Sequence, residues 1–145
     1  MRGQISVEFA LLSMVLVGLV GALAVGYLGP EYEWYCVKKA ATDAVAKTCD
    51  EVAVGITYQG GSVSGRLWVR RVVCTDNEVT FELGFSGTNW EAVRELLYRN
   101  VLFHVYVAVN GRPKSVSEIS NPVEGMWARY RVIVSGSKVT VVRER

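Results

Sequence analysis

Twenty consecutive residues, Phe9 to Leu28, carry no charge (FALLSMVLVGLVGALAVGYL), and only Ser13 and Tyr27 bring side-chain polar atoms. As a helix rising about 1.5 Å per residue, the run is about 30 Å long, which matches the hydrocarbon thickness of a bilayer. Its four Val and three Gly make it a poor helix in water, so it needs lipid or other protein on every side. A membrane anchor or a signal peptide meets that need. Ala22-Leu23-Ala24 imitates a signal-peptidase site, but the stretch exceeds the roughly 7–15 residues of a secretory core. Removal of the whole run is therefore not expected.

The remaining chain is short. At 145 residues it has room for one domain, or one domain plus a tail. Half the residues are hydrophobic and 21% are charged, a balance that argues against long disorder. Sixteen Lys and Arg face fourteen Asp and Glu, a net charge of +2, too small and scattered a surplus for a dedicated nucleic-acid binder. One His and three Cys leave little for metal chemistry, and no phosphate-binding loop, C-x-x-C pair or H-E-x-x-H occurs. An enzyme is not expected, nor a cofactor. No N-x-S/T sequon occurs either.

Two features qualify the anchor. Glu8 stands one residue before the apolar run; an acid there costs free energy unless it sits at the interface, finds a partner, or benefits from the peptide dipoles at a helix N-terminus. Gly18, Ala22 and Gly26 recur every four residues and form a ridge of small side chains, which lets helix backbones approach closely. Small residues are also simply common in membrane helices, and both explanations stand at this level.

The segment Arg2-Gly3-Gln4-Ile5-Ser6-Val7-Glu8-Phe9, followed by the apolar run, resembles the class III signal peptide of archaeal type IV pilin-like proteins. The Val7-Glu8-Phe9-Ala10-Leu11 stretch is also similar to TadE-like minor pilins, although Ser13-Met14 stand where those carry an early Pro. The resemblance covers about the first thirty residues. It implies cleavage between Gly3 and Gln4 by a membrane-bound prepilin peptidase, with the hydrophobic helix retained. Glu8 then becomes the fifth residue of the mature chain, where pilins carry a glutamate that pairs with a neighbouring subunit's new amino terminus. Residues implied in assembly are thus Glu8, Phe9, Gly18, Ala22 and Gly26. The implied partners are copies of itself in a helical filament, related pilins, the peptidase, an assembly ATPase with its membrane platform, and the membrane before assembly; nucleic acid is not expected. The implied location is the cell membrane by a single span, then an extracellular surface filament serving adhesion. The alternative is a monomeric, single-pass, membrane-anchored binding module outside the cytoplasm.

Gly29-Pro30 punctuates the helix, where Pro removes a donor and crowds the preceding turn; a kink or short break is expected. Beyond it Trp34, Val37, Ala41, Val45, Cys49, Val52 and Ile56 recur at three- and four-residue spacing, the pattern of an amphipathic helix. Gly55 to Gly65 is rich in Gly and Ser and reads as the end of that helix. Arg66–Cys74 and Glu78–Phe85, joined by Thr75-Asp76-Asn77, read as a hairpin. Thr88-Asn89-Trp90-Glu91 has capping-box spacing before a short helix carrying Trp90, Val93, Leu97 and Val101. Phe103, Val105, Val107 and Val109 alternate as in a strand that ends at the turn signal Asn110-Gly111. A loop with Pro113 and Pro122 leads to strands Trp127–Ser135 and Lys138–Arg143 around Gly136-Ser137.

The expected fold is α+β: a long hydrophobic N-terminal helix, kinked near Pro30, packed on an antiparallel sheet of about five strands with one short extra helix. The expected division is leader 1–3, transmembrane or filament-core helix 4–29, amphipathic continuation 30–56 and β-rich head 57–145. Cys36 and Cys49 lie about 20 Å apart along one helix and cannot bond to each other. Cys49–Cys74 is the best disulfide pairing, set against buried free thiols, with Cys36–Cys74 the lesser alternative. His104 reads as a structural histidine. Arg70, Arg71, Arg129, Arg131, Arg143 and Arg145 either gather into a basic patch for anionic polymers or dress a solvated sheet face.

Overall fold

A computed structural model describes residues 2–145, with side chains from Ser6 onward; Met1 and the surroundings of Gly3 and Gln4, the expected leader and cleavage site, lie outside what is described. The chain forms two compact units, Met1–Tyr32 and Glu33–Arg145. One helix, α1 (Arg2–Val54), runs through both without a break at Pro30. Of the expected kink or short break, the break is thus absent. Gly29 explains part of this, because the residue before a proline is strained in a helix chiefly through its Cβ, which Gly lacks. The amphipathic second half of the helix belongs to the same compact unit as the sheet.

Within that second unit the fold is α+β, with a six-stranded antiparallel sheet rather than five strands. The strands are β1 (Ile56–Tyr58), β2 (Gly61–Cys74), β3 (Glu78–Thr88), β4 (Val123–Glu124), β5 (Arg129–Ser135) and β6 (Lys138–Glu144), in the order β1-β2-β3-β6-β5-β4. Residues Gly55 to Gly65 do end the helix, and they also fold into the β1–β2 hairpin, with Gln59 and Gly60 at positive φ between Tyr58 and Gly61. The β2–β3 hairpin turns at Thr75–Asn77, where the Thr75 Oγ1 accepts from the Glu78 backbone N–H at 3.1 Å. The β5–β6 hairpin turns at Gly136-Ser137, with Gly136 at φ 59°.

The second helix, α2 (Trp90–Asn110), is 21 residues long, and it overturns two expectations. The alternating stretch Phe103–Val109 is its second half, not a strand. Val93, Leu97, Val101 and Val105 recur every four residues and are all fully buried, flanked by Leu96 and Leu102; of the alternating set Phe103, Val105, Val107 and Val109, only Val105 is fully buried. Asn110-Gly111 accordingly ends a helix: Gly111 is left-handed (φ 71°) and its N–H donates to the Val107 carbonyl at 2.8 Å. The capping box does not form either. Thr88 ends β3, and Asn89, at φ 63°, starts the helix with its side chain making no cap bond, while Glu91 pairs with Arg94 at 3.4 Å.

The core lies between the helices and one face of the sheet. From α1 come Trp34, Val37, Ala41, Ala44, Val45 and Val52; the sheet supplies Val63, Leu67, Val79, Phe81, Leu83, Tyr130, Val132, Val139 and Val141. Thr48 is the buried polar residue on that helix face. Its hydroxyl donates to the Ala44 carbonyl at 2.8 Å and accepts from Asn100 of α2 at 2.8 Å, so α1 and α2 are joined by a satisfied polar contact.

Candidate assembly surface

In the unit Met1–Tyr32 the side chains from Phe9 to Leu28 face solvent around the whole helix. Phe9 is 71% exposed, Met14 71% and Val15 60%, and at about 100° per residue these three point to different sides of the rod. The helix is long and apolar enough to cross a membrane. Gly18 and Gly26 look into open space: a Cβ at either position would meet nothing within 4 Å. Their smallness therefore serves no packing inside this chain. Glu8 is exposed one residue before the run and has no ion-pair partner among the described residues. Glu8 and the Gly18–Ala22–Gly26 ridge thus lie along one uncovered side of the helix, and Phe9 is exposed on the opposite side.

The unit Glu33–Arg145 has its own organising contact, which sequence patterning did not single out. Glu33 accepts hydrogen bonds from the Met126 and Trp127 backbone N–H groups (3.0 and 3.2 Å) and from the Tyr130 hydroxyl (2.6 Å). The β4–β5 loop is thereby tied to α1. Gly125 is required there, because a Cβ would lie 2.5 Å from Glu33 Oε1. Trp34, next along the helix, stacks on Tyr130 at 6.0 Å and is covered by the Arg143 guanidinium at 5.2 Å.

A groove of about 730 Å³ opens between the β1–β2 turn, the start of α2 and β5. Its polar side chains bond to one another. Gln59 donates to Glu95 at 2.8 Å, and Asn121 exchanges two hydrogen bonds with the Val132 backbone (2.9 and 3.0 Å) while donating to Tyr98 at 3.1 Å. Asn121 thus stands in for a strand residue on the outer side of β5. Among the described residues no His, Cys, Asp and Glu cluster could hold a metal.

Cys36, Cys49 and Cys74 are free thiols, so the expected Cys49–Cys74 bond is not formed. Cys49 is half-buried on α1, and burial, aided by Asp50, pushes its thiol pKa up. Cys74 is exposed at the end of β2, next to Val72 and Val73, which are 49% and 38% exposed. His104 lies on α2, not a strand; partial burial and then Lys47 push its pKa down, against the pull of Asp43 and Glu51. The arginines named from the sequence do not gather into one patch. Arg71 and Lys138 share Glu82 (3.0 and 3.6 Å), Arg129 pairs with Glu124 (3.0 Å), Arg131 pairs with Glu144 (2.6 Å), and Arg143 is buried. These carboxylates answer the charge locally. The Arg71 hydrogen bond holds Glu82 below its usual range, and the Arg131 hydrogen bond does the same for Glu144.

The chain matches no protein-family model, no curated protein and no solved structure. Its architecture is a long apolar N-terminal helix with an antiparallel sheet on its amphipathic half, a type IV pilin-like layout.

Proposed function

We propose that this chain is a structural subunit of an archaeal type IV pilus-like surface filament, trimmed before Gln4 and polymerised through its N-terminal helix. The observation that carries the reading is the uncovered apolar rod. Thirteen large apolar side chains between Phe9 and Leu28 are exposed. At about 1.5–3 kcal/mol for each such side chain kept in water, the penalty is on the order of 20 kcal/mol. That exceeds the roughly 5–15 kcal/mol by which a whole domain is stable. Lipid removes the penalty for a newly inserted chain, and identical rods remove it in a filament.

The small-residue ridge favours the second environment, since it adds nothing to a solitary span and allows close backbone contact between copies. Trimming converts Gln4 into a free amine, the countercharge that Glu8 needs once it leaves the interface. Processing and assembly are linked through that pair. The head domain would then form the filament surface and make its adhesive contacts.

Mass spectrometry of the N-terminal peptide from the native organism's envelope tests the processing step. The reading predicts a mature chain starting at Gln4. A chain starting at Met1 would favour the monomeric anchored module, and one starting beyond Ala24 would remove the rod altogether; either contradicts the proposal.

A further inference from the structure

The solvent face of β2 carries an arrangement unlike the rest of the sheet. Arg66 and Arg70 are exposed and have no carboxylate partner among the described residues, whereas Arg71, Arg129, Arg131 and Lys138 all do. Both guanidiniums lie over one indole, that of Trp68, at 5.8 and 5.9 Å from the ring centroid. Two like charges held on one ring repel each other, and an oxyanion placed between them relieves the repulsion while accepting from both.

Two backbone devices build the arrangement. Trp68 pairs with Gly84, and its ring occupies the space of the missing side chain: a Cβ at Gly84 would sit 2.6 Å or less from three indole atoms. A bulge inserts Arg70 between the pairs Val69↔Leu83 and Arg71↔Glu82. Bulges re-aim side chains, and this one puts Arg70 on the Trp68 ring beside Arg66.

We infer that Arg66, Trp68 and Arg70 form a binding site for an acidic polysaccharide, with a carboxylate or sulfate held by the two guanidiniums and the sugar against the indole. The surrounding face suits a sugar. It carries Thr80, Thr140 and Ser86 hydroxyls, with Thr80 and Thr140 at 3.1 Å. Single-stranded nucleic acid is favoured by several stacking platforms in succession, and Thr80, Glu82, Gly84 and Ser86 supply no second ring along β3. Addition of a peptide strand is opposed by the bulge and the arginines, devices that guard an edge against pairing.

The test uses the full-length chain in detergent micelles, with polygalacturonate, dextran sulfate, uncharged dextran and a single-stranded oligodeoxynucleotide as probes. Binding is expected for one or both acidic polysaccharides, the two arms separating carboxylate from sulfate, and weakening as salt is raised. The Arg66→Gln/Arg70→Gln variant should bind about tenfold more weakly. The charge-matched control Arg112→Gln/Arg129→Gln, with the same circular dichroism spectrum, should stay within about twofold of the parent. Equal losses in the two double variants would overturn the site. So would acidic polymers binding no better than dextran, or the oligonucleotide binding more tightly than either polysaccharide.

Discussion

Glu33 illustrates how one side chain can join two elements far apart in sequence. Its carboxylate answers two backbone N–H groups in the β4–β5 loop and the Tyr130 hydroxyl of β5, and bonds to a charged acceptor are the stronger kind. Glu33→Ala should destabilise the folded head by about 2 kcal/mol, read from the urea midpoint of the full-length chain in micelles. Glu33→Gln should lose part of this, because an amide has one acceptor oxygen instead of two. His104 makes a pH-dependent contribution of a definite sign. Its folded pKa lies below the ordinary 6.5, so the unfolded chain takes up a proton first as pH falls. The stability it confers is complete above 6.5 and declines from there toward the lower folded value. Urea midpoints should therefore fall more steeply below pH 6.5 in the parent than in His104→Gln; parallel profiles would contradict the assignment.

At the scale of elements, sequence was most informative where period and burial agreed. The stripe Trp34, Val37, Ala41, Val45 and Val52 was legible as a helix face because every one of these residues is buried in the core shared with the sheet and α2. The β2–β3 and β5–β6 hairpins were legible from alternation flanking turn residues. The misreadings share a physical cause. Phe103, Val105, Val107 and Val109 alternate in type, yet a β-branched run can form a helix when residues four apart find a core, and Val101 and Val105 do. Asn-Gly serves a helix C-terminus as well as a hairpin, since both require positive φ. β1 and β4 have three and two residues, too few for a period to register. The Arg66–Trp68–Arg70 face depends on a bulge and a facing glycine, which only strand register reveals. Ala22→Leu should leave membrane insertion unchanged, because Leu is as apolar as lipid, yet reduce filament yield by about tenfold through lost close approach. Protease-protected membrane fractions and sheared filament fractions, measured in the same cells, separate the two effects.

For the whole molecule, the division at Tyr32/Glu33 separates two kinds of stability. The head buries a hydrophobic core of its own between its helices and sheet. The N-terminal rod does neither with its side chains, and its environment must come from outside the chain. A solitary membrane anchor would need only hydrophobicity from those residues. A filament core also uses their shape, and Glu8 beside them acquires a purpose. The assembled state can be observed directly. Electron microscopy with helical reconstruction of sheared surface material should show filaments whose axis is packed with residues 9–28 of this chain and whose outer layer is the sheet domain. Filaments of this chain lacking that helix, or its recovery only as single molecules in the membrane, would contradict the account.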